Sequence, residues 1–395
     1  MTIHKHKDNP WLTRPHISGL ISLPSRGVSL VASCSGPPVA RRRRHPTDDD
    51  DKDDPIVIFF TGAGGPLALY VKVQQCLSAF VRAFLFDRAG YDRSSLRDND
   101  NGPLLAEDGA LDLACLLDTL DISPPYVLVG HSFGGICLRE FLNVIVASNE
   151  GAEPECTPSP TSTDPILEKN GNGNGKRLEE NRTMTRRKSN PLKDVIAGIV
   201  LVDTATELML SLYPRVPAAE LVAVAADVDW ERVTHLREQS GMTDREWDDA
   251  IAAAVRTRHK VAGMEDTHLS AWRLAQKRQL ELQTYKGGIL SVVRCNSAVD
   301  YQRMYDEGVK IGGGTDEERA RARMFIDKWR TFAHEVSKAQ LDLVEDEDTK
   351  RYAYLDGFGH DGLLRKREMV GDPVRWVLSE WHKRRPGTLG GRGFG

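Results

Sequence analysis

The chain has 395 residues, a length that suits one large α/β domain with an insertion or two separate domains. Its formal net charge is −4 at pH 7, and a cluster of four arginines at 41–44 is followed at once by an acidic run at 48–54. Charges that neutralise each other locally exclude the basic surface of a nucleic-acid-binding protein and argue against a targeting signal.

The cysteines give no sign of a metal site or a disulfide scaffold. All six, at positions 34, 76, 115, 137, 156 and 295, are widely scattered, so we expect free thiols in a reducing compartment. The first residues lack the apolar core of a signal peptide, and no stretch reaches the roughly eighteen apolar residues of a membrane span. The sequence predicts a cytoplasmic protein without a membrane span.

Four segments are expected to lie outside a packed core. Residues 1–19 and 383–395 are polar or glycine-rich and are predicted to be disordered tails. Residues 36–54 combine prolines with the arginine and aspartate runs, and predict a flexible charged loop. Residues 148–190 contain scattered prolines, a repeated N-G pair and a basic cluster, which predict a flexible insertion; we favour a solvated linker over a partner-binding arm.

Continuous apolar runs alternate with helical patterns along the rest of the chain. Two short strands around a turn, at 21–23 and 28–32, predict an entry hairpin. The later runs are typical of strands covered on both faces in a parallel sheet, and they are 56–60, 81–86, 126–129, 195–202, 289–294 and 352–355. Helical patterns occur at 105–120, 135–146 and 315–343. This alternation predicts an α/β fold with a mostly parallel central sheet, built from residues 20–206 and 287–382.

Residues 207–286 have a helical pattern and lie between two predicted strands. Thr243 and Glu246 form a capping box that predicts the start of a helix. The expected apolar faces are Trp247, Ile251, Ala254 and Val255 in that helix and Leu269, Trp272 and Ala275 in a second one. We interpret the block as a helical lid above the carboxyl ends of the strands, with tryptophans that form its core or, less favoured, the walls of an acyl pocket.

The segment G-H-S-F-G at 130–134 is the most informative motif. A bare G-x-S-x-G match is more often an ordinary turn, but this one follows an apolar strand and precedes helix-forming residues. Gly130 and Gly134 would leave room for a sharp turn that exposes Ser132. The backbone N–H of Phe133 would then be one donor of an oxyanion hole at the start of a helix.

A glycine-rich loop follows the strand at 56–60. Its sequence, T-G-A-G-G-P, could cradle a phosphate, but it lacks the lysine and the helix continuation of the nucleotide-binding motifs. With Ser132 present, we favour a backbone donor that faces the serine, and Ala63 is the candidate for the second oxyanion contact. The segment D-R-A-G-Y after the next strand predicts a turn held by Asp87 rather than an active-site charge.

These segments, taken in order, resemble the α/β-hydrolase superfamily. The resemblance is carried by T-G-A-G-G, F-D-R-A-G-Y-D-R-S, P-P-Y-V-L-V-G-H-S-F-G-G and A-G-I-V-L-V-D, and covers about 20–35, 55–147 and 194–382. It implies an α/β-hydrolase fold with a lid between two strands and a triad in the order serine, acid, histidine. Thr61 departs from the histidine that the family often has before the oxyanion glycine.

The base and acid follow from that order. Among the histidines beyond the serine, His360 fits best, because it follows the last predicted strand within a glycine loop. The others fall in the predicted lid or in helical patterns, and they are His235, His259, His268, His334 and His382. Asp203, directly after a strand, is the favoured acid; Asp300, expected in a loop, is the alternative.

The sequence therefore predicts a serine hydrolase that cleaves a carboxylic ester, or a related acyl bond, of a small or medium-sized substrate through an acyl-enzyme. Ser132, His360 and Asp203 would be catalytic, and no metal or organic cofactor is required. One alternative is a hydrolase-fold binding protein or receptor with little turnover. Another is an acyltransferase or aminopeptidase on the same residues. The natural substrate and the oligomeric state stay open.

Overall fold

A computed structural model describes residues 9–39, 54–97, 102–149, 192–213 and 215–384. The expectations for 1–8, for most of the two flexible insertions (40–53 and 150–190) and for the tail from 385 lie outside the described residues. The features below belong to the described part of the chain.

The described strands form one sheet, in the order β1-β2-β4-β3-β5-β6-β7-β8. Their bounds are β1 His16–Leu23, β2 Val28–Ser35, β3 Ile56–Phe60, β4 Arg82–Phe86, β5 Tyr126–His131, β6 Ile196–Val202, β7 Leu290–Cys295 and β8 Lys350–Leu355. The pairs β1/β2 and β2/β4 are antiparallel, and the remaining pairs are parallel. The predicted strands are therefore confirmed, and β3 to β8 point their carboxyl ends to one edge.

Helices follow most of the strands. The α-helices are α1 Pro10–Thr13, α2 Val71–Ser78, α3 Ala106–Thr119, α4 Gly134–Asn149, α5 Leu192–Val195, α6 Glu207–Leu212, α7 Ala219–Val224, α8 Trp230–Thr234, α9 Leu236–Ser240, α10 Asp244–Val261, α11 Thr267–Gln276, α12 Ser297–Lys310, α13 Asp316–Lys338, α14 Gly362–Arg365 and α15 Glu368–Lys383. The helix predicted at 315–343 ends as α13 at Lys338, and a 3₁₀ helix, Ala339–Leu343, follows. Within the described ranges, no helix combines the length and the apolar character that a membrane crossing needs.

The core lies on both faces of the sheet. Along β3, Ile56, Ile58 and Phe60 pack with α3 and α4 on one face, whereas Val57 and Phe59 pack with α2 and α15 on the other. Side chains alternate between the faces of a strand, so a strand covered on both sides must be apolar throughout. This explains why the central strands appear in the sequence as unbroken apolar runs.

The expected tail at 1–19 is too long, because order begins before residue 19. Asn9 caps α1, whose Trp11 and Leu12 are buried, and β1 begins at His16. The strand lies at the edge of the sheet with alternating exposure, paired with β2 on one side only. An edge strand with one face in solvent carries serine and glycine, and its polar composition conceals it in the sequence.

In the described part of the block between β6 and β7, the structure has the helices α6 to α11, as the helical pattern predicted. The capping box at Thr243 is present at the start of α10. The predicted apolar faces are only partly correct: Trp247 is buried, but Val255 is 48% exposed and Trp272 is 61% exposed. Trp272 is therefore not core. Small residues form much of the buried stripes, namely Ala250, Ala253 and Thr257 in α10 and Ser270 and Ala271 in α11.

Candidate active site

The turn between β5 and α4 carries Ser132. Its φ is +53°, a left-handed conformation that few non-glycine residues adopt, and such strain is common at active sites. A Cβ on Gly134 would lie 2.2 Å from the Phe60 carbonyl oxygen, and one on Gly130 would lie 3.0 Å from the Gly135 Cα. The glycines of the motif are therefore required by the close approach of the turn to β3 and to the helix start.

Gly134→Ala is expected to destabilise the protein by about 3 kcal/mol, the upper end of the usual cost of overpacking, because the clash is with rigid backbone. Urea unfolding followed by circular dichroism would measure the loss. Gly357→Ala is the matched control: Gly357 is exposed and no atom lies within 4 Å of its Cβ position, so a change below about 0.5 kcal/mol is expected. Equal unfolding midpoints for the two variants would contradict this account of the turn.

Three predicted residues meet at the carboxyl edge of the sheet. The His360 Nε2 lies 3.0 Å from the Ser132 Oγ, and the His360 Nδ1 lies 2.6 Å from the Asp203 Oδ2. Ser132 follows β5, Asp203 follows β6, and His360 lies in the loop after β8. The His360 side chain keeps 38% exposure, so part of the ring is open to solvent. This chain of contacts has the geometry that a serine needs to lose its proton to a base.

Asp203 is fully buried and held from two directions. Its Oδ1 accepts hydrogen bonds from the Arg294 Nη1 at 2.6 Å and from the Cys295 N–H at 3.0 Å. Burial favours the neutral carboxyl, but Arg294 and His360 outweigh it and lower the pKa of Asp203 to about 2. Asp203 is therefore a carboxylate at neutral pH, and its free oxygen points at the imidazole.

Asp300 does not contact the imidazole. It lies in the first turn of α12 rather than in a loop, and its Oδ2 accepts the His360 backbone N–H at 2.8 Å. Asn296, a residue type common at helix starts, is the N-cap residue, but its side chain donates to Asp356 and makes no capping hydrogen bond. A Cβ on Gly359 would lie 1.7 Å from the Asp300 carboxylate, which explains the glycine before His360. Both candidate acids hold His360: Asp203 by its ring, Asp300 by its backbone.

His131 packs beside His360, with 4.8 Å between the ring centroids. Its Nε2 lies 3.2 Å from the His360 carbonyl oxygen, and its Nδ1 lies 2.9 Å from the Tyr70 hydroxyl. Burial, with a contribution from His360, lowers the pKa of His131 to about 3, so His131 stays neutral. Tyr70 also accepts the Gly62 N–H, at 3.1 Å. These residues were not predicted; they support the base and the glycine loop from behind.

The glycine loop lies against the serine, since a Cβ on Gly62 would be 3.0 Å from the Ser132 Cβ. The N–H groups of Gly62, Gly64 and Gly65 donate to other groups of the protein. Within the described residues, the N–H groups of Ala63 and Phe133 have no acceptor. Their oxyanion role stays a prediction, supported by two amides near Ser132 that donate to no other described group.

Arg88 holds the glycine loop in place. Its guanidinium donates to the Thr61 carbonyl at 2.7 Å, to the Gly62 carbonyl at 2.9 Å and to the Glu265 carboxylate at 2.9 Å. Asp87 accepts the Leu67 N–H at 2.6 Å. The D-R-A-G-Y segment therefore stabilises the glycine loop, and the Asp87 carboxylate contacts the residue after that loop rather than the turn it was predicted to hold. Glu265 belongs to the helical block, which thus contacts the loop through Arg88.

Arg294 is the main site residue that the sequence interpretation missed. Val202 and Val293 are paired in register between the parallel strands β6 and β7, and Asp203 and Arg294 follow them one residue later. Residues that follow a register pair project to the same side of the sheet. The signal in the sequence was that Arg294 ends one apolar strand and Asp203 directly follows another. These two strands are neighbours in the sheet.

The fold and this cluster at the strand ends define an α/β hydrolase. A family model described as "Alpha/beta hydrolase family" matches residues 57–281, more than half of the chain. The protein therefore belongs to the α/β-hydrolase family, and the predicted fold class is confirmed.

Two curated proteins are related to this chain at low sequence identity. "Probable transporter efuK" of Hormonema carpetanum is 26% identical over 389 residues, which cover 98% of this chain but 45% of that protein. "AB hydrolase superfamily protein" of Gibberella zeae is 23% identical over 323 residues, covering 80% of this chain and 84% of that protein. This chain thus spans less than half the length of the first relative.

Solved structures share the fold at low identity. "Structure of a putative epoxide hydrolase from Pseudomonas aeruginosa" has a TM-score of 0.50 and 12% identity, and the match covers 94% of this chain and 98% of that chain. At this identity the likeness shows the fold alone.

Proposed function

We propose that the protein is a serine hydrolase that cleaves a carboxylic ester, or a related acyl bond, of a small or medium-sized substrate. The observation that carries the proposal is the continuous chain of contacts from the Ser132 hydroxyl through the His360 imidazole to the Asp203 carboxylate. A hydroxyl becomes nucleophilic when a neutral imidazole can take its proton and a carboxylate fixes the imidazole tautomer.

The reaction proceeds in two stages. Ser132 Oγ attacks the acyl carbon while His360 Nε2 takes the hydroxyl proton, and the amides of Ala63 and Phe133 bind the oxyanion. The tetrahedral intermediate then collapses, and His360 returns the proton to the departing alcohol. Water enters and loses a proton to His360 as it attacks the acyl carbon. The bond to Ser132 Oγ then breaks, His360 returns the proton to that oxygen, and the acid is released. The helical block at 207–286 acts as the lid, a role supported by the Glu265 contact with Arg88.

The same three residues could also catalyse two other reactions. Transfer of the acyl group to an acceptor other than water would make an acyltransferase, and an amide substrate would make an aminopeptidase. Epoxide opening by an aspartate at the elbow is a different chemistry, because residue 132 is serine. A binding protein or receptor with little turnover is disfavoured, since binding alone does not require a base aligned with the serine.

A substrate screen tests the proposal. p-Nitrophenyl esters of increasing acyl length are presented to the full chain, alongside aminoacyl arylamides. Ester hydrolysis is the expected result. Hydrolysis of the arylamides alone would indicate a peptidase instead of an esterase. If folded protein hydrolyses neither substrate class, the result would favour the binding protein.

The rate is expected to fall as the pH is lowered through the pKa of His360, because only the neutral imidazole can accept the serine proton. Burial lowers the pKa of His360, but the hydrogen bond and charge of Asp203 more than offset this. The net pKa lies above the ordinary value of about 6.5, so the protonated, inactive form predominates below it. A profile of kcat/KM from about pH 5 to about pH 9 should rise with a midpoint above about 6.5. A fully active enzyme at about pH 5.5 would contradict the assignment.

A further inference from the structure

We propose that Arg294 is a positioning residue for hydrolysis, and that its ion pair with Asp203 limits how strongly His360 holds a proton. The inference rests on the proposed function and adds to it a residue outside the serine, base, acid and oxyanion groups.

Two hydrogen bonds and a nearby aromatic ring fix the guanidinium of Arg294. Its Nη1 donates to the Asp203 Oδ1 at 2.6 Å, and its Nη2 donates to the Ser297 Oγ at 3.1 Å. Ser297 also accepts the Trp329 Nε1–H at 2.8 Å, and the guanidinium carbon lies 5.7 Å from the Trp329 ring centroid. The Arg294 side chain is 4% exposed. A buried, hydrogen-bonded arginine of this kind holds one position.

The two oxygens of Asp203 have separate tasks. Oδ1 binds Arg294 and the Cys295 amide, and Oδ2 binds the His360 Nδ1. The contacts on Oδ1 fix the plane of the carboxylate, so Oδ2 is aimed at the imidazole before any substrate arrives. Such preorganisation of the acid removes a reorganisation step from the proton transfer.

The positive charge of Arg294 lowers the pKa of His360, whereas the negative charge of Asp203 raises it. A carboxylate favours the imidazolium that forms when His360 takes the serine proton, but here the same carboxylate also neutralises a buried guanidinium. Arg294 therefore reduces the net negative charge that His360 experiences. The base remains neutral to a lower pH than it would beside an unpaired aspartate, and it is ready to accept a proton near neutrality.

Other ionisable groups of the described residues surround the pair; burial raises the pKa of the Cys295 thiol and lowers the pKa of His334 on α13. His131 stacks on His360 and stays neutral, Asp300 of α12 binds the His360 amide, and Asp361 follows His360 in the chain. The positive charge of Arg365 on α14 favours the ionised form of Asp300. The phenols near Asp203 have a raised pKa and stay neutral, and they are Tyr301, Tyr352 and Tyr354. Arg294 is thus the cation in direct contact with the acid.

The test compares Arg294→Met, Arg294→Gln and Arg294→Lys with wild type in a pH profile of kcat/KM. The acid limb is the low-pH side of this profile, where kcat/KM falls as His360 takes up a proton. Removing the charge in the Met or Gln variant should raise the pH midpoint of the acid limb by about one unit, because the Asp203–His360 pair then takes up a proton more readily. Lysine keeps the charge and should leave the limb near its wild-type position, with a lower kcat from the lost fork of hydrogen bonds.

Arg26→Met is the matched control for loss of a buried ion pair. Arg26 is also buried, and its Nε donates to the Asp112 Oδ1 at 2.9 Å, in a pair that the triad does not contact. This variant should lose stability and keep the wild-type limb. If Arg294→Met does not fold, the Gln and Lys variants decide: equal limb positions in these two would overturn the proposal.

A readout without turnover separates this inference from the proposed function. The imidazole of His360 is titrated by NMR in protein with labelled histidine, in wild type and in Arg294→Gln. A higher titration midpoint in the variant supports the role of Arg294 even if no ester is hydrolysed. Identical midpoints overturn it even if the enzyme proves to be an esterase.

Discussion

Ser132→Ala is expected to abolish covalent labelling by a fluorophosphonate probe and to lower kcat for ester hydrolysis by about 10⁴- to 10⁶-fold. The reason is that the acyl-enzyme requires an oxygen nucleophile at this position, and alanine removes it while the amides of Ala63 and Phe133 remain. Alanine is smaller than serine and causes no clash, so the fold should persist. The lost activity should therefore not reflect unfolding. Intact-mass spectrometry of the labelled protein gives the stoichiometry, and initial rates on a p-nitrophenyl ester give the loss of kcat.

Ser211→Ala provides the matched control for this result. Ser211 is exposed on α6 and donates only to the Leu208 carbonyl of its own helix, so its loss should change neither labelling nor rate. Labelling that persists in Ser132→Ala would mean that another residue is the nucleophile. Folded wild-type protein that reacts with no probe would point to the binding protein instead.

Asp203→Asn is expected to lower kcat by about 10⁴-fold while the protein stays folded, the effect that an asparagine has in a serine triad. An amide can present its NH₂ group to the His360 Nδ1, which favours the tautomer with the proton on Nε2. That tautomer cannot accept the Ser132 proton, and the charge that stabilises the imidazolium is also lost. Steady-state kinetics on the best ester of the screen would measure the change in kcat.

Asp300→Asn is the comparison that distinguishes the two candidate acids. The asparagine carbonyl can still accept the His360 N–H that the Asp300 Oδ2 now accepts at 2.8 Å, so we expect a loss of less than about tenfold. The imidazole tautomer should be unaffected, because Asp300 contacts the backbone of His360 and not its ring. An equal loss in both variants would contradict the division of roles between the carboxylates.

Much of the fold could be predicted because the central strands are buried on both faces. A strand such as β3 must then be apolar at each of its positions, and an unbroken apolar run is visible without knowledge of its neighbours. The edge strand β1 and the helices of the inserted block are half exposed, and small or polar residues serve there as core. Their patterns do not distinguish a buried stripe from an exposed one, so the tail boundary and the exposure of Trp272 were predicted incorrectly.

The sequence by itself determined the turn that carries Ser132, because the glycines and the preceding strand act over a few adjacent residues where backbone sterics decide the conformation. It also indicated His360, through its place after the last strand. Only the tertiary structure decided which aspartate faces the imidazole and that Arg294 holds it. Those contacts join residues far apart in the chain, and they depend on strand register, which local residue patterns do not specify.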